Sequence, residues 1–293
     1  MSIKVLLKPI KIFRLISQLL TYAMGAGLAH YFGAQVLWSV LLAGAVFICF
    51  STLGFDYLQT LQQVNDGRFS PEGISAKDIQ LVRMGLGLIS GALMTTAATI
   101  TVGWMVNGVL WSGAIILLVA VFAVGGVYIL EGTMDKLRPF HSLLETVLVV
   151  ILPPALGYFL QTQDTHRFLT FAVLGIVPLY LAFILLTQLI HYAEDQRKET
   201  LTTVTSMGWE AAMVIHNALI LLGFLLFALA ALLGFPWALI WPVFLTLPLG
   251  LLEIWLMERL RHGQKPLWRI MQYALGAAFL IPVYLLAMAF WLR

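Results

Sequence analysis

The sequence predicts an all-α polytopic membrane protein of nine transmembrane helices, arranged as two four-helix halves plus a ninth helix around a central lipid-open cavity. Three observations carry this. The 293 residues are 61% hydrophobic and only 11% charged, against about 25% charged residues in ordinary soluble domains. Apolar windows long enough to cross about 30 Å of hydrocarbon recur nine times. Two polar stretches, residues 55–73 and 190–208, each follow an even-numbered span, so the chain divides into halves that run in the same direction.

The whole chain, 1–293, forms a single membrane domain. Residues 1–14, MSIKVLLKPIKIFR, place Lys4, Lys8 and Lys11 on one face with Ile and Leu between them, which suits a basic interfacial segment on an anionic leaflet. Spans are expected at 15–32, 35–54, 81–105, 108–130, 142–161, 167–190, 210–233, 236–256 and 269–292. Each must be helical, because lipid offers no partner to a backbone amide. The first run has full spanning length and no A-x-A-like site after it, so it reads as an uncleaved helix. Polar loops are expected at 55–80 and 190–209. Gly87-Leu-Ile-Ser-Gly91 offers a small-residue packing face, and Pro153, Pro154, Pro178, Pro242, Pro248 and Pro282 mark kinks.

Charge placement gives the orientation. Fifteen of the 17 Lys and Arg residues lie in the N-terminus and the even-numbered loops, and only Arg167 and Arg293 lie on the other side. The positive-inside rule then places the N-terminus in the cytoplasm and the C-terminus outside, as in a bacterial or archaeal cytoplasmic membrane. Thirteen of the 14 acids share the basic side, so water-facing chemistry is expected there. The small formal charge of +3 argues against a nucleic-acid partner, and the single Cys49 excludes an internal disulfide.

Residues 190–208 place five charges, Glu194, Asp195, Arg197, Lys198 and Glu199, within six positions. Continued as a helix, the stretch stacks His191, Asp195 and Glu199 on one face as potential metal or proton ligands. It also suits a solvated helix end in which Glu194 pairs with Lys198. The first stretch places Asp56, Gln59 and Gln63 on one helical face, and an acid at membrane depth needs a partner or water. A parallel repeat brings both stretches over one cavity, where they can pool ligands. Tyr57 and Tyr192 suit an aromatic belt, and Glu145 and Glu253 lie just inside spans, where snorkelling can carry a carboxylate to the headgroups. His216 and Asn217 suit interhelical hydrogen bonds.

This pattern resembles the UbiA superfamily of intramembrane prenyltransferases, particularly the branch that includes menaquinone-pathway enzymes. The first motif of that family, N-D-x-x-D-x-x-x-D, falls on Phe55-Asp56-Tyr57-Leu58-Gln59 and continues to Gln63, followed by Gly67-Arg68-Phe69-Ser70-Pro71. The second, D-x-x-x-D with a Thr-rich tail, falls on His191 to Asp195 and Thr202 to Gly208. Pro139 to Glu145 and Tyr22-Ala-Met-Gly25 are similar to further family segments. The resemblance implies transfer of an isoprenyl group from an isoprenyl diphosphate to a hydrophobic acceptor, an aromatic quinone precursor, in contact with membrane lipid. It implies Asp56, Asp195 and Glu199 as catalytic residues and Asp56, Asp195 and Glu194 as ligands of Mg²⁺. Gln59, Gln63, Arg68, His191, Arg197, Lys198, Tyr57 and Tyr192 are implied as substrate-binding residues. Gln59, Gln63 and His191 replace family acids, which favours a second reading, a non-catalytic lipid- or partner-binding protein of the same fold. A transporter is a third, and would need ionisable residues along a path through the bilayer.

The orientation is open to cysteine labelling on a Cys49-free background. Cysteines at positions 66 and 198 are expected to react with an impermeant reagent only after the membrane is opened. Labelling of either from outside intact cells overturns the assignment.

Overall fold

In the computed structural model, which describes residues 9–67, 76–131, 134 and 136–293, the apolar windows fold as helices. Among the described residues, nine are long and apolar enough to cross a membrane. They are α1 (Ile12–Tyr31), α2 (Trp38–Asn65), α3 (Ala76–Val106), α4 (Ser112–Glu131), α5 (Arg138–Phe159), α6 (Arg167–Arg197), α7 (Trp209–Leu232), α8 (Trp237–Arg261) and α9 (Trp268–Trp291). A short helix, Thr203–Met207, joins α6 to α7.

Two of these helices run past the apolar windows that began them. The residues of 55–65, expected to open a polar loop, form the last turns of α2, because nothing in that run interrupts helical geometry. The chain turns only at Asp66 and Gly67, where Gly67 adopts a φ of 71°. Likewise α6 continues through His191 and Asp195 to Arg197. Residues 1–8 and 68–75 lie outside the described residues, and with them Lys4, Lys8 and Arg68.

Apolar packing divides into two main cores. One joins α2, α3 and α4 around Phe47, Phe55, Trp104 and Tyr128. The other joins α6 to α9 around Ile176, Ile220, Phe227 and Phe279. Helices α1 and α5 contribute to both cores, and α9 packs on α1, α6 and α8. The two halves and the extra helix therefore share one central partition made of α1 and α5.

That partition is shaped by two prolines. Pro153 and Pro154 have no amide hydrogen, so the carbonyls one turn earlier lose their helical donors. The helix answers with a π turn over Val147–Ile151, and α1 supplies donors in place of the backbone. Thr21 Oγ1 donates to the Val149 carbonyl at 2.8 Å, and Gln18 Nε2 donates to the Leu148 carbonyl at 3.0 Å. The two helices can approach this closely because Gly25 faces the Pro154 carbonyl and Gly157 faces the Tyr22 carbonyl, with no room for a Cβ at either.

Other expectations fare differently. Gly91 is exposed with open space beyond its Cα, and Gly87 meets only Leu61 at 3.9 Å, so this pair makes no tight packing face. The tight glycines are elsewhere: Gly175 lies against Phe227 and Gly223 against Leu179 where α6 crosses α7. Glu145 and Glu253 are both buried rather than snorkelling. Asn217 Nδ2 donates to Glu258 Oε1 at 3.1 Å, an interhelical bond of the expected kind.

The glycine contrast gives a direct test. Gly25→Ala is expected to destabilise the folded protein by about 1–3 kcal/mol, since the obstruction is backbone and cannot rotate away. Gly91→Ala should stay within about 0.5 kcal/mol of the parent. Equilibrium unfolding in mixed micelles measures both, and equal stability of the two variants contradicts the tight α1–α5 contact.

Candidate functional site

One end of the bundle gathers the start of α1, the ends of α2, α4 and α6, and the start of α5. Arg14 lies one turn inside α1 on the face that also carries Ser17, Gln18 and Thr21, all four buried. Its Nη1 donates to Asp56 Oδ1 of α2 at 2.5 Å and to the Tyr128 hydroxyl of α4 at 2.8 Å. The same hydroxyl donates to Asp56 Oδ1 at 3.1 Å and accepts from Lys11 Nζ at 3.0 Å. Arg14 and Asp56 are both only 2% exposed in their side chains. An ion pair so deeply placed is held by its mutual attraction and its added hydrogen bond, since water contributes little.

A second group adjoins the first. Gln59 Nε2 donates to the Tyr128 carbonyl at 3.0 Å and lies 3.4 Å from Glu131 Oε2. His141 stands between two carboxylates, with Nδ1 2.7 Å from Glu131 Oε2 and Nε2 3.1 Å from Glu145 Oε2. Both ring nitrogens face acceptors, so each gap holds a proton. Tyr180 of α6 donates to Glu145 Oε1 at 3.2 Å. Lys11 stands at the rim, exposed as a residue but with its ammonium against Tyr128. Burial works against its charge, yet Tyr128, Glu145 and Asp56 outweigh that and raise its pKa above the ordinary lysine value.

Two cavities open onto these groups and share Lys11, His141, Gln188 and Thr202. The larger, about 430 Å³, is bounded by Arg14, Glu145, Phe13, Tyr180, Phe183 and Ile184 among others. The smaller, about 280 Å³, reaches Gln59, Gln63, Glu131 and Arg138 on one side and Thr200 and Leu201 on the other. The two polar stretches thus meet over common space, as a parallel repeat requires. The tail of the second is fixed there by side chains. Thr203 Oγ1 donates to the Pro139 carbonyl at 2.8 Å, Gln188 Nε2 donates to Ser142 Oγ at 3.0 Å, and the Val204 amide donates to Gln188 Oε1 at 3.2 Å.

The residues singled out in the sequence are distributed unevenly around this space. Gln59 and Gln63 line the smaller cavity, and Asp56 lies behind the wall, bound to Arg14. Tyr57 is buried in a small cluster with Val64, Val82 and Leu86 rather than in an aromatic belt. His191, Tyr192, Glu194, Asp195, Arg197, Lys198 and Glu199 line neither cavity. Glu194 pairs with Lys198 at 2.5 Å on the exposed last turn of α6, the solvated arrangement such a stretch allows. Tyr192 accepts from Gln196 Nε2 at 2.8 Å, and Asp195 is half-buried with its carbonyl accepting from the Thr200 amide. Glu199 is exposed and takes a φ of 52°, the left-handed conformation that follows the end of α6. Arg68 lies outside the described residues.

Sequence reasoning missed Tyr128, Glu131, His141, Tyr180 and Gln188 as groups of the mouth, and read Lys11 and Arg14 as charges of a basic interfacial N-terminus that set topology. The signal for Arg14 was the polar stripe Arg14, Ser17, Gln18 and Thr21, which follows one helical face. Mg²⁺ asks for near-octahedral oxygen coordination. Among the described residues no three Asp, Glu, His or Cys side chains gather as a metal set. Asp56, Glu131 and Glu145 are instead engaged by Arg14, His141 and Tyr180. This donor set does not fit a protein-held Mg²⁺.

No family model matches the chain, and no curated protein matches it. Its fold is shared with a solved structure described as the apo structure of a UbiA homolog from Aeropyrum pernix K1. The likeness covers 96% of this chain and 98% of the other, with a TM-score of 0.58 and 14% identity.

The Arg14–Asp56 pair predicts strong coupling. Arg14→Ala is expected to cost about 3–5 kcal/mol, because it leaves Asp56 buried without its counterion. The double variant Arg14→Ala, Asp56→Ala should recover a substantial part of that loss in equilibrium unfolding. Additive losses contradict a direct buried pair.

Proposed function

We propose that this chain is an intramembrane prenyltransferase-like protein that takes an isoprenyl diphosphate into the shared cavities, with its anionic head at the basic rim on the cytoplasmic side. The observation that carries the proposal is the pairing of surfaces in one space. Lys11, Arg14 and Arg138 supply cationic donors, while Phe13, Phe183 and Ile184 supply an apolar wall. Together the cavities have the size and mixed lining of a small-molecule site. The shared fold with a UbiA homolog supports the same reading.

The chemistry follows from the lining. Departure of the diphosphate breaks the allylic C–O bond and leaves a carbocation on the prenyl chain. Phe13 and Phe183, stacked at 4.1 Å between centroids, and Tyr180 offer ring faces that stabilise a cation. Cationic side chains at the rim stabilise the departing charge. A hydrophobic aromatic acceptor forms the new C–C bond and then loses a proton. Glu145, which lines the larger cavity beside the aromatic wall, is placed to take that proton, and His141, held between Glu145 and Glu131, relays it on. The products are the prenylated acceptor and diphosphate.

A second reading, binding without transfer, draws on the neutral Gln59 and Gln63 and on the commitment of Asp56 to Arg14. Purified protein in lipid, given a panel of isoprenyl diphosphates and phenolic acceptors, separates the two. Transfer is expected, with His141→Ala reducing turnover about a hundredfold or more while isoprenyl diphosphate still binds. Turnover unchanged in His141→Ala contradicts the proton path, and binding without turnover across the panel favours the second reading.

A further inference from the structure

We infer that the mouth meets the charge of an isoprenyl diphosphate with its own cations, Lys11, Arg14 and Arg138, so that head recognition needs no divalent metal. This rests on the function proposed above and specifies how the same site works.

Three features of the structure lead to it. The acids at and behind the mouth are already engaged, although Asp56 Oδ2 is buried without a hydrogen-bond partner among the described residues. Asp56 Oδ1 receives both Arg14 and Tyr128, and Glu131 and Glu145 hold the two nitrogens of His141. A hard dication placed between such carboxylates and a diphosphate competes with cations the fold has built in. Next, the positions of the first motif that line the smaller cavity carry amides, Gln59 and Gln63. A neutral amide oxygen is a weaker ligand for a hard dication than a carboxylate, and with Gln59 Nε2 already directed at the Tyr128 carbonyl and Glu131, Gln63 is the amide left to donate to a phosphate oxygen.

The third feature is the guanidinium itself. Arg14 belongs to the wall of the larger cavity, and its Nε and Nη2 are buried with no hydrogen-bond partner among the described residues. Buried donors of this kind need an acceptor, and an arginine fork suits phosphate oxygens in particular. Arg14 cannot reorient freely, because Nη1 is fixed by Asp56 and Tyr128. Asp56 is on this account a positioning residue: it holds the guanidinium in place and does not touch the ligand.

The test is binding of farnesyl diphosphate and of a longer isoprenyl diphosphate to the full chain in nanodiscs, in excess EDTA and in Mg²⁺. Inorganic diphosphate and anionic phospholipid serve as competitors that separate a free phosphate or a lipid headgroup from the isoprenoid. Affinity is expected to agree within about twofold between the two conditions. Lys11→Ala and Arg138→Ala, both at the rim, should each weaken it about tenfold. Arg14→Lys keeps the charge but loses the fork, and should weaken binding in EDTA and in Mg²⁺ alike. Binding that appears only with Mg²⁺ overturns this inference and leaves the proposed function standing. Displacement by anionic phospholipid at equal strength also overturns it, since the site then reads a headgroup. Failure to bind in either condition, with folding confirmed by thermal unfolding, removes both.

Discussion

The buried contact among Arg14, Asp56 and Tyr128 ties together three helices that are far apart in sequence. It joins the first turns of α1, the end of the apolar part of α2 and the last turns of α4. Neither charge could stay at this depth alone, because each would lose its hydration without a counterion. Once paired, they draw the open ends of three helices to one point. Lys11 and Gln59 then bond to Tyr128, and through Glu131 the network reaches His141 and α5. Both cavities open beside this chain of contacts.

The α1–α5 partition supports the same region by a different means. Consecutive prolines open the hydrogen-bond ladder of α5, and Thr21 and Gln18 of α1 donate to carbonyls in the altered turn. The polar stripe of α1 thus has two tasks. Its first member, Arg14, serves the mouth, and its later members repair the neighbouring backbone. Close approach at Gly25 and Gly157 makes this repair geometrically possible. His141 and Glu145 sit on the same helix just before the π turn, so the packing of α1 on α5 also sets where they stand.

The nine spans were legible because lipid leaves long apolar runs few options, and the parallel halves were legible because the polar stretches recur after even-numbered spans. The partners inside the mouth were not. Arg14 looks like one more basic residue at the end of a span until a structure shows Asp56 opposite it, 42 positions away. Glu131 and Glu145 likewise acquire their meaning only through His141. The charged run at 194–199 was the most conspicuous polar feature of the sequence, yet most of it forms an exposed helix end. Glu194 satisfies Lys198 one turn away, and Glu199 is spent on ending the helix. Local charge density marks water contact, whereas a site inside a membrane is built from charges that neutralise one another across helices.

The central claim is that these internal ion pairs present protein cations to an anionic isoprenoid head. The most direct measurement is an experimental structure of the protein in lipid with a non-hydrolysable isoprenyl thiodiphosphate, prepared in the presence of Mn²⁺ so that metal can be located by anomalous scattering. The account predicts phosphate oxygens about 2.7–3.0 Å from nitrogens of Lys11, Arg14 or Arg138, with no metal between the head and the protein. A metal ion bridging the diphosphate to Asp56 or Asp195 would contradict it.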